Sequence, residues 1–310
     1  MKRCFPVAVF CGVAAGAFAQ SAAKPAAAAS NEQTRIILDV SRVNVLFTVT
    51  DRRGRFVTDL VKEDFSVSEG KREQQILEFA AESDLPLRLG ILIDTSNSIR
   101  ERFKFIQEAA VEFLTSVMRP RTDKAVVVSY DTSAQLVADL SDEIRLLSEK
   151  IRDLRPGGGT SLYDAMFYAA RDKLMQDQPR HKFRRAMVIL SDGEDNASHC
   201  TRDQSLEMAQ KADVVIYTIS TNITKIETDG DKVLKYFAAQ TGGQSFFPFK
   251  VEDLSQSFEN IANELRRQYN ILYRPDPLKT DGLWHPITLR VKNRKELVVR
   301  ARKGYYAPKM

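Results

Sequence analysis

Apolar and polar positions change their period twice along the 310 residues of this chain. Val43, Val45, Phe47 and Val49 alternate with Asn44, Leu46 and Thr48, the period of a strand with one face on a core. Asp51-Arg52-Arg53-Gly54 supplies a turn, Phe65-Ser66-Val67-Ser68 alternates again, and a third strand is predicted around Gln75–Phe79 after the turn at Glu69-Gly70-Lys71. From about Leu85 the pattern becomes short apolar strands alternating with runs at helical spacing. Strands are predicted at Leu89–Ile93, Ala125–Tyr130, Ala134–Leu140, Ala186–Leu190, Val214–Ser220 and Ser245–Phe249. Helices are predicted at Ser98–Met118, Ile144–Leu154, Leu162–Met175, Leu206–Ala212, Val233–Thr241 and Val251–Arg267. Period-two alternation then returns in Tyr269–Tyr273, in Ile287, Leu289 and Val291, and in Leu297, Val299 and Ala301.

Alternation of strand and helix argues for an α/β, doubly wound and mainly parallel sheet with helices on both faces. The flanking β segments are too short to bury much core alone, and each leaves an apolar face uncovered. They are expected to close into a β-sandwich-like module, with residues 268–310 packing against 35–82 and the α/β domain, 85–267, inserted between.

Composition changes this picture at the N-terminus. Met1–Ala19 has a basic start at Lys2 and Arg3, an apolar stretch and the small-x-small end Ala17-Phe18-Ala19, so it reads as a signal peptide cleaved after Ala19. The Ala-rich residues 20–34 read as a flexible leader. The mature protein is then expected to be secreted or periplasmic. Cleavage removes Cys4 and Cys11 and leaves Cys200 alone, which excludes an internal disulfide. The formal charge of +5 falls by two with Lys2 and Arg3, too little and too dispersed to indicate nucleic acid. No later run reaches the ~18 apolar residues of a membrane span.

The candidate chemistry lies in Leu89–Ser98. A strand apolar on both faces runs into Asp94, Ser96 and Ser98, at the carboxyl edge where open α/β sheets bind ligands. One carboxylate and two hydroxyls suit a hard divalent cation. The same residues could serve only as the cap of the next helix. Two later stretches favour the cation: Gly157-Gly158-Gly159-Thr160-Ser161 before a helical run, and Val188–Leu190 running into Ser191-Asp192-Gly193.

These three loops, Asp94-x-Ser96-x-Ser98, Thr160 and Asp192-Gly193, resemble the metal-ion-dependent adhesion site of the von Willebrand factor A (VWA) domain, in the type found in bacterial secreted proteins. The order of elements over about 180 residues is also that of this domain. The resemblance implies Ser96, Ser98 and Thr160 as direct ligands, with Asp94 and Asp192 direct or water-mediated. Asn97, Gly159, Gly193 and Asp195 would surround the ion without binding it. The expected ion is Mg²⁺ or Mn²⁺, with Ca²⁺ a third candidate. The expected function is divalent-cation-dependent protein–protein binding, with a partner Asp or Glu carboxylate completing the coordination. The alternative is a secreted scaffold whose metal only stabilises the fold.

Catalysis is not expected, and no catalytic residue is assigned. A dehalogenase-type phosphatase would want an acid where Ser96 stands, and a receiver domain a lysine where Ser220-Thr221-Asn222 stands. No Gly-x-x-x-x-Gly-Lys-Ser/Thr or Gly-x-Ser-x-Gly motif occurs. His199-Cys200 with Asp203 has zinc-ligand residue types but no second pair. The basic run 180–185 reads as a solvated face, and Asp195-Asn196 either as groups around the ion or as a solvated loop. Trp284, Tyr305 and Tyr306 are expected at the core or rim of the β module.

Overall fold

The computed structural model describes residues 42–81, 85–178, 182–222, 224, 226–248 and 251–309. All belong to one compact unit, Asp39–Met310. The signal and leader readings fall outside the described residues.

The central sheet follows the apolar strands. Strand β5 (Leu87–Asp94) lies between β6 (Lys124–Tyr130) and β8 (Arg184–Ser191), both parallel to it. Beyond β8 come β9 (Val214–Ser220) and β10 (Ser245–Phe246), also parallel, while β7 (Ala134–Ser141) closes the other edge antiparallel to β6. Strands β5 and β8 are buried at every position, the burial that their unbroken apolar runs require.

Helices cover both faces. Helix α1 (Phe103–Val117), α2 (Ile144–Asp153) and α6 (Val251–Arg266) pack on one, where Phe113 and Phe258 stack at 4.8 Å. The other face carries α3 (Leu162–Tyr168), α4 (Arg202–Lys211) and α5 (Asp229–Thr241). Two helices are less regular than their periodicity predicts. The first opens with a tight 3₁₀ stretch, Asn97–Arg102, and the third continues past α3 as a wider π-type turn, Ala169–Leu174.

The terminal strands interleave. One four-stranded sheet has the order β13-β1-β11-β4 and another β14-β12-β2-β3. Here β1 is Val43–Thr50, β2 Phe65–Glu69, β3 Arg72–Gln74, β4 Ile76–Ala80, β11 Tyr269–Tyr273, β12 Trp284–Val291, β13 Val298–Ala301 and β14 Gly304–Tyr306. Each sheet mixes strands from both sides of the α/β part. Phe47 of the first sheet meets Phe65 of the second edge-on at 5.0 Å, and Tyr269 stacks on Phe47 at 5.3 Å. This interleaving gives the β-sandwich-like module of the sequence reading.

The structure differs from expectation in three places. The single strand around Gln75–Phe79 is two, because the chain leaves one sheet after Gln74 and joins the other at Ile76. Buried Gln74 anchors the crossing: its Oε1 accepts from the Asp276 amide at 2.8 Å and its Nε2 donates to Asp276 O at 3.3 Å. Tyr305 and Tyr306 belong to a further strand, β14, paired with Trp284–Pro286. Arg184 and Arg185, in the basic run read as a solvated face, are buried at the start of β8. Arg185 donates to the carbonyls of Leu174 (2.6 Å) and Asp177 (2.5 Å), and Arg184 to those of Leu85 (2.8 Å) and Leu265. Guanidinium groups can be buried here because their several N–H donors meet backbone carbonyls at helix ends and just before β5.

Candidate metal centre

Three loops converge at the carboxyl edge of the central sheet. Asp94 ends β5 with no exposed surface. Its Oδ1 accepts from the Ser96 amide at 2.8 Å and its Oδ2 from Ser191 Oγ at 3.1 Å. Ser96 and Ser98 hydroxyls lie 2.9 Å apart, and Ser98 Oγ donates to Asp192 Oδ2 at 2.8 Å. Four of the five expected ligands are thus joined through hydrogen-bonded side chains and the Ser96 amide. Asp94 lies at the bottom and Ser98 at the solvent-exposed mouth.

Thr160 is brought alongside through backbone. Gly157 N donates to Thr95 O at 2.6 Å, and the Asn97 amide and side chain both reach Gly158 O, at 3.4 and 3.3 Å. Gly158 has φ +83°, the left-handed conformation that glycine adopts at no steric cost. Among the described residues no hydrogen bond joins the Thr160 hydroxyl to Ser96, Ser98 or either aspartate.

Asp195 and Asn196, for which the sequence leaves open a supporting role or a solvated loop, hold the Thr160 loop in place. Asn196 Oδ1 accepts from the Thr160 amide at 2.9 Å, while the amides of Asn196 and Ala197 both donate to Thr160 O at 3.0 Å. Asp195 Oδ2 accepts from the Tyr163 amide at 2.9 Å, which ties the start of α3 to the same loop. A Cβ on Gly159 would stand 3.0 Å from Asn196 Oδ1. Gly193, at φ +81°, leads the chain against the start of α5, where a Cβ would stand 2.2 Å from Gly230 O.

Ser191 was not singled out from sequence, yet it holds Asp94 and accepts from the Gly193 amide at 3.0 Å. Its place between a buried strand and Asp192 was the available signal. Tyr130 is buried near the same carboxylates, donates to Leu190 O at 3.4 Å, and has its hydroxyl pKa pushed up by burial and by Asp94.

The electrostatics test whether a cation fits. Burial pushes the Asp94 carboxyl up to about 6 against the hydrogen bonds from Ser96, and the charge of Asp192 adds to the rise. Neither Asp94 nor Asp192 forms an ion pair with Lys, Arg or His among the described residues. Two neighbouring carboxylates therefore share a hydroxyl-lined site without a protein countercharge, and a hard divalent ion supplies both the charge and the oxygen preference that are missing. Among the described residues no three His, Cys, Asp or Glu side chains converge, so any ion held here would need hydroxyl oxygens as well. His199 and Cys200, which carry zinc-ligand residue types, both lie against Asp164: His199 Nδ1 contacts Asp164 Oδ2 at 3.1 Å, and the half-buried Cys200 thiol has its pKa raised by burial and by Asp164.

A sheet of this topology, carrying Asp-x-Ser-x-Ser, Thr and Asp loops at its carboxyl edge, defines a VWA-type module. The family model of the von Willebrand factor type A domain matches residues 89–264, more than half the chain, and the protein belongs to that family. The von Willebrand factor A domain-containing protein 3B of Homo sapiens is 28% identical over 180 residues, 56% of this chain and 13% of that protein. Among solved structures, the von Willebrand factor type A protein from Catenulispora acidiphila matches with a TM-score of 0.52 at 14% identity, over 80% of this chain and 74% of that one. Proximal thread matrix protein 1 from the mussel byssus, solved with a zinc-occupied MIDAS motif, matches with a TM-score of 0.51 at 16% identity, over 64% of this chain and 49% of its own. These two likenesses concern the fold. No helix among the described residues is long and apolar enough to cross a membrane.

Proposed function

We propose that this protein binds a partner protein through a divalent cation held by Ser96, Ser98, Thr160, Asp94 and Asp192. The cation is Mg²⁺ or Mn²⁺, with Ca²⁺ a third candidate. The observation that carries the reading is the pair Asp94 and Asp192, gathered with two hydroxyls and given no basic partner among the described residues. The bound ion supplies positive charge and an acceptor position for an outside oxygen. The chain's own residues do the rest. Buried Asp94 fixes the charge at the bottom of the site, Ser191 and the Ser96 amide hold its orientation, and Asn196 and Asp195 hold the Thr160 loop. Ser98 and Asp192 stand towards solvent, where a partner Asp or Glu carboxylate would arrive. No bond is made or broken in this reading, so the protein is not an enzyme, and Met1–Ala19 would direct it to the periplasm or beyond.

The competing reading is a scaffold whose ion only stabilises the loops. Mn²⁺ bound to the full chain, followed by water proton relaxation during a glutarate titration, separates the two. Loss of relaxation enhancement as the carboxylate displaces bound water, absent in Asp94→Ala, is expected for the binding reading. Tightly bound Mn²⁺ whose relaxation ignores glutarate would favour the scaffold.

A further inference from the structure

We propose that Arg100 and Arg102, on either side of the metal centre, select an acidic partner segment, each pairing with a carboxylate that flanks the one on the ion. This rests on the reading of the centre as an acid-binding cation site. Both arginines belong to the 3₁₀ stretch Asn97–Arg102, which also carries Ser98. At three residues per turn, Asn97 and Arg100 share one side of it, and Ile99 and Arg102 another. The contacts follow that division. An Arg100 guanidinium nitrogen donates to Asn97 Oδ1 at 2.9 Å and to Pro156 O at 3.4 Å, beside the glycine loop that leads to Thr160. Ile99 is buried, and a nitrogen of half-buried Arg102 donates to Thr221 O at 2.9 Å. Thr221 follows β9, and its amide donates at 2.9 Å to the carbonyl of Ser191, the residue before Asp192. The strand order β9, β8, β5 places Thr221, Asp192 and Ser98 in succession along the carboxyl edge of the sheet. Two guanidinium groups therefore bracket the ion site, one towards β9 and one towards the Thr160 loop.

Charge and spacing say what the two groups take. Neither arginine has a carboxylate partner among the described residues. Their acceptors are one side-chain amide and two backbone carbonyls, all neutral, and each guanidinium bonds through a single terminal nitrogen. A guanidinium presents five N–H donors in a planar fork that matches a carboxylate, so most of them are left for an incoming acid. Glu101 follows Ser98 by one turn and pairs with neither arginine. Neighbouring strands stand about 4.8 Å apart, which puts the ends of β9 and β5 about 10 Å apart, the reach of about three extended residues. The occupant that meets the ion and both arginines is a protein segment with further Asp or Glu residues within about three positions of the one on the ion.

The test titrates the full chain, in excess Mg²⁺ and in EDTA, with two blocked peptides, acetyl-Asp-Gly-Gly-Asp-Gly-Gly-Asp-amide and acetyl-Gly-Gly-Gly-Asp-Gly-Gly-Gly-amide. In Mg²⁺ the three-acid peptide is expected to bind about fivefold tighter, the gain that two exposed ion pairs supply. Arg100→Gln and Arg102→Gln should each remove part of that gain and the double variant all of it, with the one-acid peptide bound as before. Arg155 is exposed and seated on the carbonyls of Arg152 and Leu154, so Arg155→Gln should leave the gain intact. Equal affinity of the parent for both peptides, or a gain that survives in the double variant, would overturn the role of the two arginines and leave the acid-binding centre standing. If neither peptide binds better in Mg²⁺ than in EDTA, the acid-binding reading itself fails, and this inference with it.

Discussion

Asp94 shows how much of the centre a single residue carries. It is fully buried, its carboxyl is pushed up to about 6, chiefly by burial, and no basic group among the described residues pairs with it. An unpaired buried carboxylate is a cost to the fold, which a bound cation would offset. Asp94→Asn is therefore expected to raise the unfolding temperature in EDTA while abolishing the gain on adding Mg²⁺. A variant destabilised in EDTA would mean that the carboxylate is structural. Gly193 makes a different demand. At φ +81° and with Gly230 O where its Cβ would lie, Gly193→Ala should cost about 3 kcal/mol in chemical unfolding, combining left-handed strain with a backbone clash. The five proposed ligand positions could be listed from sequence because they stand at strand ends and glycine turns and match the loops of the family the chain resembles. The supporting roles of Ser191 and Asn196 could not, since they rest on hydrogen bonds to Asp94 and Thr160, which are distant from them in the chain.

At the scale of elements, apolar runs were the dependable signal. Val214–Ser220 and Tyr269–Tyr273 have the bounds that their patterns predict, because each is a strand buried almost throughout. Ends set by side-chain hydrogen bonds were less legible. Helix α5 begins four residues before Val233, at Asp229, since Thr228 and Asp231 form a reciprocal cap there. The 3₁₀ opening before α1 is likewise hidden in an apolar spacing that fits any helix. Asp231 joins the α5 cap to the sheet: its carboxylate accepts from Ser220 Oγ at 2.7 Å, Asn222 Nδ2 at 3.0 Å and the Thr228 amide at 3.0 Å. Burial raises its pKa, and these bonds outweigh burial and hold it below the usual value of 3.8. A depressed carboxyl pKa stabilises the fold above the unfolded value and loses that contribution as the pH falls through the folded one. Acid unfolding monitored below pH 4 should therefore begin at higher pH in Asp231→Asn, which should also lose about 1–2 kcal/mol at neutral pH. Identical acid limbs for variant and parent would contradict this.

Across the whole molecule, the β module and the α/β part meet at a buried charge. Glu264 near the end of α6 is 1% exposed. It accepts from Thr48 of β1 at 3.2 Å, Tyr217 of β9 at 3.2 Å and Arg300 of β13 at 2.6 Å. Burial raises its pKa, while Arg300, Thr48 and Tyr217 oppose the rise. Periodicity revealed that both sets of terminal strands had an apolar face to cover, but nothing local pairs Glu264 with Arg300. Arg300→Met, which strands the acid, should cost about 3–5 kcal/mol. Adding Glu264→Gln should recover part of that loss in a double-mutant cycle of chemical unfolding, whereas strictly additive losses would mean that the two do not act together. Helix α6 also carries Phe258 against Phe113 of α1, so the same helix runs from this junction into the core on one face of the central sheet.

The most direct test of the central claim is thermal unfolding of the full chain in EDTA and in millimolar Mg²⁺ or Mn²⁺, with Asp94→Ala alongside. An ion present at about 100 times its dissociation constant stabilises the native state by about 2.7 kcal/mol. The account predicts a rise of that order in the parent and none in the variant. Unfolding temperatures that ignore the ion in the parent, or that rise equally in both proteins, would contradict a cation centre at Asp94, Ser96, Ser98, Thr160 and Asp192.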